Sequence, residues 1–556
     1  GHMLLGIDVG GTFTDAVIIN GSTIISSAKR RTTKDNLMNG ITDALGAVMS
    51  GVDSAQIEQV TLSTTVVTNT IVEHKEQPVD LYVVAGPGRN VDDIFPVRPV
   101  YLKGYTDHRG IVVERTDVGG TRQLANMVQS KSGTDLAAVS AKFGVRNPKE
   151  EIDVAQALAD TYSTISTGSA LSGNLNFPRR TISAYFNSAV AAVFKEFKTA
   201  VYHALETFHI TAPVYILKAD GGSLPIDTVE SIPVETVFTG PAATVLGLEA
   251  LRSTKEAHTV ALDIGGTTTD ISLWKQGKPL MTKEGVSIRE YPSAVRSFAV
   301  TSVGIGGESA VRYEDGELMV GPERLGPSVA LGGTIPTLGD ALIVLGNAHY
   351  GDEQKAYDAI TQIDTTIDAK IMAQRIVDTA VRVVQQGIDT VVAKENKRPI
   401  YVVSDIVHPD PFVPAQLVIV GGTAASLGPI IGDTLGLPVH IPPDAAVANA
   451  IGAGVANHTM AITVHVDTKR RTMVVPELGI QDKGSSLRSA QAVEEVAYGL
   501  LREAAQEQGL VPQGVMPAIE TISVEDFPVV DGWQSMERII TVKVQLKAGV
   551  SGYVES

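Results

Sequence analysis

The sequence predicts an α/β protein built from two related lobes, and three observations support this prediction. The run Asp8-Val-Gly-Gly-Thr-Phe-Thr-Asp15 recurs as Asp263-Ile-Gly-Gly-Thr-Thr-Thr-Asp270, with six of eight positions identical. Each copy lies between two short apolar runs, which is typical of antiparallel strands joined by a turn. A third glycine element, Gly421-Gly-Thr423, follows another apolar run and precedes a helix-like stretch. A duplicated domain with one hairpin in each half accounts for the repeat.

The composition of the two turns suits a bound phosphate. Glycines permit close approach of the backbone and leave its amides free to face an anion, and threonine hydroxyls add further donors. A carboxylate at the start of the turn is suited to holding a magnesium ion through water. A single Asp-x-Gly-Gly-Thr run is more often an ordinary hairpin turn, but its recurrence in register favours a functional interpretation.

Length and composition exclude several classes of protein. The chain has 556 residues, enough for three or four domains, with 44% hydrophobic and 19% charged residues. Its net charge of −17 argues against nucleic acids and anionic membranes as partners. Without cysteine it has no disulfide, thiolate metal site or thiol nucleophile. No apolar run reaches the 18 residues of a membrane span, so we expect a soluble, cytoplasmic protein.

The two hairpins and the later Gly-Gly turn resemble, in order and rough spacing, those of the actin-like ATPases. This superfamily, with its ribonuclease H-like fold, includes sugar kinases, actin and heat-shock chaperones. The resemblance implies duplicated lobes around an interlobe nucleotide cleft. Two alanine-rich stretches, 239–249 and 445–456, have small residues at helical spacing and predict closely crossing helices. Such helices form the interlobe hinge in this superfamily, although two packed core helices would have the same composition.

The expected domain organisation follows from this frame. We predict a first lobe over 3–254 with an inserted subdomain over about 86–170, and a second lobe over 255–460 with an insertion over about 311–395. Residues 461–556 are predicted to form a small, separate α+β appendage. Periodicity predicts the clearest helix over 371–394.

Several segments resemble one branch of the superfamily, the A-type subunit of the hydantoinase/oxoprolinase family. The resemblance extends from residue 4 to about 460, and its motifs are the runs Gly6-Ile-Asp-Val-Gly-Gly-Thr-Phe-Thr-Asp15, Ser63-Thr-Thr-Val-Val-Thr-Asn-Thr70, Lys218-Ala-Asp-Gly-Gly222, Thr239-Gly-Pro-Ala-Ala243, Val320-Gly-Pro322 and Pro336-Thr-Leu-Gly-Asp340. Two segments depart from the family pattern. The turn at Gly421 lacks the usual glycine run and Pro-Leu-His, and Gly306-Gly-Glu308 is nearer to the chaperone sequence.

The resemblance implies an ATP-dependent amidohydrolase. Such an enzyme phosphorylates a cyclic amide, such as a lactam, 5-oxoproline or a hydantoin, for hydrolytic ring opening. It implies ATP and Mg²⁺ as cofactors, a possible B-type partner subunit and an oligomeric assembly. Asp8 and Asp263 are the candidate catalytic residues and would hold the magnesium through water, whereas Asp15 and Asp270 are expected to brace their turns.

The resemblance also implies the residues of the nucleotide site and of the substrate cleft. The candidate nucleotide-binding residues are Gly10, Gly11, Thr12, Thr14, Gly265, Gly266, Thr267, Thr268, Gly306, Gly307, Gly421, Gly422 and Thr423. Thr64, Thr65 and Asn69 are candidates for the substrate cleft. Glu308 is expected either to reach the phosphates or to lie in a surface turn.

Two other functions remain open from the sequence. A small-molecule kinase would use the same hairpins, with an aspartate base in the first lobe's cleft. A regulatory or reactivating ATPase, resembling a chaperone, would use ATP hydrolysis to close the lobes on a protein partner.

Overall fold

A six-stranded sheet forms the centre of the first lobe, and a smaller sheet is inserted into it. The computed structural model describes residues 3–32, 36–88, 92–252, 257–282, 284–397, 410–511, 518–529 and 536–555. The elements of this half are β1 (Met3–Val9), β2 (Phe13–Asn20), β3 (Thr23–Arg31), α1 (Leu37–Val48), β4 (Ile57–Thr64), α2 (Val66–Val72), β5 (Asp80–Val84), β6 (Val100–Tyr101), β7 (Tyr105–Thr106), β8 (Val112–Glu114), α3 (Val118–Ser132), β9 (Leu136–Ala141), α4 (Lys149–Leu158), β10 (Thr164–Thr167), α5 (Gly168–Leu171), α6 (Phe177–Ala189), α7 (Ala191–Thr207), β11 (Val214–Leu217), β12 (Ser223–Pro225), α8 (Ile226–Val229) and α9 (Thr239–Ala250).

The first-lobe sheet has the order β12-β11-β4-β1-β2-β3. Strands β1, β4 and β11 run parallel, so their carboxyl ends lie along one edge. Leu5, Ile7 and Val9 on one face of β1 are fully buried, and Leu4 on the other face packs against a second hydrophobic cluster, as expected for a central strand covered on both sides. The predicted hairpin is confirmed by the antiparallel pairing of β1 with β2.

The inserted subdomain contains a parallel sheet in the order β10-β9-β5-β6. This differs from the predicted boundary, because β5 lies before residue 86 yet pairs with β9 of the insertion. An apolar strand has the same sequence pattern whichever sheet it joins. The pattern of β5 therefore could not show whether it belongs to the first-lobe sheet or to the sheet of the inserted subdomain. The chain returns to the first lobe through α6, which begins at Phe177 after its cap Asn176.

The second lobe repeats the arrangement of the first. Its elements are β13 (Thr259–Ile264), β14 (Thr269–Lys275), β15 (Lys278–Pro279), β16 (Ser287–Ile288), β17 (Tyr291–Pro292), β18 (Val300–Val303), β19 (Val311–Glu314), β20 (Glu317–Val320), α10 (Leu338–Val344), α11 (Glu353–Ile363), α12 (Ala369–Asn396), β21 (Gln416–Val420), α13 (Ala424–Leu435), β22 (Val439–His440) and α14 (Ala448–Val455). Its sheet has the order β15-β14-β13-β21-β22, with β18 also paired to β14. The hairpin β13–β14 beside the parallel strand β21 matches β1–β2 beside β4. Helix α12 contains the predicted helix over 371–394.

The C-terminal elements pack against the first lobe. They are β23 (Ala461–Asp467), β24 (Thr472–Val475), β25 (Ile480–Asp482), α15 (Ala490–Glu507), β26 (Ile519–Pro528) and β27 (Arg538–Leu546). Ile462 and Val542 of this sheet belong to the same continuous hydrophobic cluster as Leu5 and Phe186 of the first lobe. The predicted separate appendage therefore shares a core with that lobe. Alternating apolar residues in the sequence show that one face of these strands is buried. They do not show which part of the protein packs against that face.

Helices α9 and α14 cross at very short range between the lobes. A β-carbon placed on Gly452 would lie 2.0 Å from the carbonyl oxygen of Ala243, and one on Gly247 would lie 2.1 Å from that of Ala448. Side chains of α9 also pack on the second-lobe sheet, for example Leu246 in one cluster with Val418. The alanine-rich stretches therefore form the predicted close helix crossing.

We expect Gly452→Ala to destabilise the protein although alanine is the better helix former. The added methyl group would meet backbone atoms, which cannot move aside as a side chain does, so we expect a loss of about 1–3 kcal/mol in unfolding free energy. Gly499→Ala in α15 is the matched control, because nothing lies within 4 Å of a β-carbon there; it should be neutral or stabilising by about 0.5–1 kcal/mol. Urea unfolding of both variants measures the difference, and equal stabilities would contradict the packing argument.

Buried His465 should make the protein sensitive to acid. Its Nε2 donates to the carbonyl oxygen of Gly173 (3.0 Å) and its Nδ1 accepts from Thr541 Oγ1 (3.2 Å). Burial lowers the pKa of His465 to about 3. Below the unfolded value of about 6.5 the unfolded chain binds a proton that the folded chain does not, so stability falls by about 2 kcal/mol from this group at pH 5. Unfolding at pH 7.5 and 5 should show a smaller loss for His465→Gln, and identical losses would contradict this assignment.

Candidate active site

The first repeat forms the turn between β1 and β2. The amide of Gly10 donates to the carbonyl oxygen of Phe13 (3.0 Å) and closes the turn. Asp8 and Asp15 lie opposite each other in the antiparallel register. Asp8 is buried, and its Oδ1 accepts a hydrogen bond from Ser63 Oγ (2.7 Å) near the end of β4.

The second repeat forms a turn with the same hydrogen-bond geometry. The amide of Gly265 donates to the carbonyl oxygen of Thr268 (3.0 Å), and Asp263 lies opposite Asp270. Asp270 also accepts a hydrogen bond from Ser302 Oγ on the neighbouring strand β18. This contact fits the predicted role of Asp270 in bracing its turn.

Asp263 is held by the two crossing helices. Its Oδ2 accepts hydrogen bonds from Thr244 Oγ1 of α9 (2.7 Å) and from Asn449 Nδ2 of α14 (3.3 Å). Sequence reasoning did not select Thr244 or Asn449. The signal was present, since each is a polar residue within a run of small apolar residues that was identified as an interlobe helix. The helix crossing therefore sets the position of this carboxylate.

The two turns face each other across the cleft. A β-carbon placed on Gly266 would lie 3.3 Å from Thr12 Oγ1 of the other lobe. Burial, with smaller contributions from the charges of Asp15 and Asp263, raises the pKa of Asp8 to about 7. The carboxylates of Asp8 and Asp263, one from each lobe, therefore belong to one electrostatic site.

The third glycine turn lies against the second hairpin. The amide of Gly421 donates to the carbonyl oxygen of Ala445 (3.1 Å), and that of Thr423 donates to the carbonyl oxygen of Ile264 (3.2 Å). Gly421 has a φ of +99°, and a β-carbon there would lie 2.6 Å from Asp263 Oδ1, so only glycine is accommodated. A β-carbon on Gly422 would meet nothing within 4 Å, which leaves its backbone open to a ligand.

Three of the candidate nucleotide-binding residues form hydrogen bonds within the protein through the groups that would contact a nucleotide. The amide of Gly306 donates to Ser309 Oγ (2.8 Å), and that of Gly307 donates to the carbonyl oxygen of Gly265 (2.9 Å). Thr14 is fully buried, with its Oγ1 2.8 Å from Thr32 Oγ1. These contacts favour a supporting role behind the turns for Gly306, Gly307 and Thr14, because their donors point into the protein.

The candidate substrate-cleft residues surround the first turn. Asn69 Nδ2 donates to Thr65 Oγ1 (3.2 Å) and would lie 3.2 Å from a β-carbon on Gly11. The backbone of Thr64 exchanges hydrogen bonds with the side chain of Thr239 at the start of α9. Thr65 and Asn69 are thus at the cleft, whereas Thr64 is buried and joins α9 to β4.

Glu308 forms an ion pair between the lobes. Its carboxylate contacts Arg31 of β3 (2.9 Å) and Arg324 (2.5 Å), and its own side chain is almost completely buried. Neither sequence expectation described this arrangement. Because Arg31 belongs to the first lobe and Glu308 to the second, the contact is one that lobe opening would break.

The comparisons with known proteins identify the family. The model described as hydantoinase/oxoprolinase matches residues 180–462, and that of the hydantoinase/oxoprolinase N-terminal region matches residues 4–162. The chain belongs to the hydantoinase/oxoprolinase family. The predicted family resemblance is thereby confirmed.

Similar proteins include subunits of several enzymes. The caprolactamase subunit alpha of Pseudomonas jessenii is 26% identical over 382 residues, which are 62% of this chain and 54% of that protein. The acetophenone carboxylase gamma subunit of Aromatoleum aromaticum is 25% identical over 541 residues, covering 86% of this chain and 70% of that subunit. The 5-oxoprolinase 1 of Arabidopsis thaliana is 24% identical over 320 residues, which are 25% of that protein. The match thus spans about half of the caprolactamase subunit and a quarter of the oxoprolinase.

Two solved structures have the same fold. A nucleotide-free acetone carboxylase superposes with a TM-score of 0.71 at 16% identity, covering 99% of this chain and 88% of its own. The ATP-dependent caprolactamase of Pseudomonas jessenii superposes with a TM-score of 0.68 at 20% identity, covering 97% and 87%. They confirm the predicted duplicated α/β fold. Among the described residues, no helix has the length and apolar character needed to cross a bilayer.

Proposed function

We propose that this chain is the ATP-binding subunit of an ATP-dependent hydrolase of cyclic amides. The observation that carries the proposal is the pair of hairpin turns that face each other from the two lobes, each with an aspartate before its glycines. Membership of the hydantoinase/oxoprolinase family supports the reaction class. The relatives named caprolactamase and 5-oxoprolinase support a lactam or a related ring as the substrate.

The turns provide two groups of nucleotide contacts. Gly10, Gly11 and Thr12 would hold one part of the triphosphate, and Gly265 to Thr268 another. Gly421 to Thr423 would lie against the adenosine, because the open face of Gly422 adjoins the second turn. Backbone amides and hydroxyls of this kind bind phosphate oxygens without adding net charge.

Asp8 and Asp263 fit a magnesium ion held through water. Among the described residues, no group donates a hydrogen bond to Asp8 Oδ2 or Asp263 Oδ1, so one oxygen of each carboxylate is available. The described residues include no cluster of three histidine, aspartate or glutamate side chains that would bind a metal directly. When bound, magnesium would neutralise charge on the phosphates.

The chemistry follows from the poor electrophilicity of an amide. The amide oxygen attacks the γ-phosphorus, ADP departs, and the resulting imidate phosphate has an activated carbon. Water then adds to that carbon, and the C–N bond breaks to open the ring, which leaves a free amine and an acyl phosphate. A second water hydrolyses the acyl phosphate to a carboxylate and inorganic phosphate. Asp263 would orient the attacking group, and Thr65 with Asn69 would line the substrate side of the first turn. A second, B-type subunit would complete the enzyme, as the relative named caprolactamase subunit alpha indicates.

A carboxylase subunit is the second candidate. The match to the acetophenone carboxylase gamma subunit covers 86% of this chain, more than the match to the caprolactamase subunit. A structure titled for ATP-dependent acetone carboxylation covers 99% of the chain. The same site would then phosphorylate an enolate oxygen instead of an amide oxygen.

Release of ADP by the purified protein with Mg²⁺ and ATP tests the proposal. The panel comprises 5-oxoproline, hydantoin, simple lactams and sugars, and acetone or acetophenone with bicarbonate, each with and without a candidate B-type subunit. Stimulation by a cyclic amide supports the hydrolase, and stimulation only by a ketone with bicarbonate favours the carboxylase. If ATP binds but no small molecule accelerates its turnover, both enzyme proposals are wrong.

A further inference from the structure

A second cavity lies outside the cleft between the lobes. It has a volume of about 470 Å³ and is lined by the first lobe, its inserted subdomain, the C-terminal sheet and, from the segment before β18, Ala294 and Arg296. Lys218, at the start of the Lys218-Ala-Asp-Gly-Gly222 motif, lies in its wall directly after β11. Because β11, β4 and β1 are parallel neighbours, the cavity adjoins the same sheet edge as Asp8, two strands or about 10 Å away.

Part of the charge in the cavity wall is neutralised within the protein. Lys218 Nζ lies 3.3 Å from Asp220 Oδ2, and Asp220 Oδ1 accepts from the amide of Gly222 (2.8 Å). Glu477 accepts from the amide (3.0 Å) and from the hydroxyl (2.9 Å) of Thr463. These groups have partners and form the frame of the cavity.

Three other charged side chains of the cavity wall, Glu235, Lys543 and Arg296, form no ion pair with any residue that the structure describes. Among the described residues, Glu235 and Lys543 have no side-chain hydrogen bond and no ion pair within 4.0 Å. They are near enough for each to shift the pKa of the other, but too far apart to touch. Arg296 Nη1 donates to Gln545 Oε1 (2.8 Å), and within the described part of the chain no carboxylate contacts Arg296.

Opposite charges that line one cavity without contacting each other are complementary to a molecule that carries both. Leaving a buried charge unpaired is unfavourable, and a ligand that reaches both groups removes that penalty. Burial raises the pKa of Glu235 to about 7 and lowers the pKa of Lys543, which are the directions expected for a carboxylate and an ammonium group without close partners of opposite charge. A ligand with a single charge would satisfy only one of them.

We propose that this cavity binds a zwitterionic amino acid, with its carboxylate on Lys543 and Arg296 and its ammonium group on Glu235. The site goes beyond the proposed function, since it lies outside the phosphate turns and uses none of their residues. The chemistry nevertheless connects the two, because hydrolysis of a cyclic amide releases a molecule with one carboxylate and one amine. A site for that class of compound would bind the product.

Calorimetric titration of the protein without ATP tests the site. The probes are the ω-amino acids from β-alanine to 6-aminohexanoate and L-glutamate, and each ω-amino acid is compared with the fatty acid and the alkylamine of the same chain length. We expect at least one zwitterion to bind at least tenfold more tightly than both of its singly charged analogues. Equal affinities within a matched set would overturn the proposal. So would the absence of any zwitterion with a dissociation constant below about 10 mM, which is the range of weak small-molecule sites.

Variants identify the cavity as the place of binding. Glu235→Gln and Lys543→Met should each weaken zwitterion binding at least tenfold. Each variant should then bind the zwitterion no more tightly than the original protein binds one of the singly charged analogues. Lys547→Met is the matched control, because Lys547 is exposed just after β27 and does not line the cavity. Unchanged binding in both cavity variants would place the ligand elsewhere. ATP binding by each variant shows that the variant is folded. Because the titration contains no ATP, a failure of zwitterion binding can be distinguished from a failure of ATP turnover.

Discussion

Replacing Asp263 with asparagine should lower ATP turnover by about 10²- to 10⁴-fold and leave the fold intact. Asparagine has the same shape, and its carbonyl oxygen can still accept the hydrogen bonds from Thr244 and Asn449. What is lost is the negative charge at the cleft, to which we assign the proposed magnesium shell and the proposed orientation of the attacking group. Steady-state ADP release at saturating ATP and Mg²⁺ measures the effect, and thermal unfolding checks the fold.

The control for this substitution is Asp389→Asn, on the exposed side of α12. It makes the same chemical change far from the turns. Because exposed substitutions usually have small effects, ATP turnover should stay within about twofold of that of the unsubstituted protein. If both variants retained full ATP turnover, Asp263 would have no catalytic role. The hairpins would then have to be interpreted as structural turns.

Replacing Arg180 with methionine should reduce the free energy of unfolding by about 3–5 kcal/mol. Arg180, on α6, is completely buried and donates to the carbonyl oxygens of Asn174 (2.7 Å) and Ala141 (2.9 Å). The charge of Glu151, itself fully buried, acts on Arg180 and opposes the fall in its pKa that burial causes. Methionine would fill much of the volume but would remove both of these donors and the positive charge beside Glu151. The carbonyl oxygen of Ala141 would retain only its bond from the amide of Gly144 (3.0 Å).

Urea unfolding of Arg180→Met should therefore show a large shift in midpoint, whereas Arg382→Met on the exposed side of α12 should change stability by less than about 0.5 kcal/mol. Arg180→Lys separates charge from geometry. It retains the cation but cannot reproduce the fork of the guanidinium group, so an intermediate loss is expected. Equal stabilities of the three variants would show that the buried network around Arg180 contributes nothing.

The family motif at Pro336-Thr-Leu-Gly-Asp340 illustrates how a recognisable sequence can have a structural basis. Thr337 and Asp340 form a capping box at the start of α10, in which Asp340 Oδ2 accepts from the amide of Thr337 (3.0 Å). Asp340 also accepts from the amides of Val329 (2.9 Å) and Ala330 (3.1 Å). The motif therefore holds the second insertion together and needs no contact with a ligand.

Much of the candidate site could be predicted because its chemistry is local. Asp8 and Gly10 are separated by one residue, and so are Asp263 and Gly265, so the turn and its carboxylate are visible in eight residues. The repeat also predicted the second lobe, since one hairpin design occurs twice. The hinge helices were recognisable because small residues at helical spacing permit close crossing.

The sequence by itself determined the two hairpins, the α/β class, the family and the crossing helices, because each depends on residues close together in the chain. Only the tertiary structure decided which groups support them. Asn449 reaches Asp263 from 186 positions away, and Arg31 meets Glu308 from 277 positions away. The cavity of Glu235 and Lys543 likewise joins distant segments. Such contacts join side chains that are far apart in the chain, and a local or periodic sequence pattern does not show which distant side chains will meet.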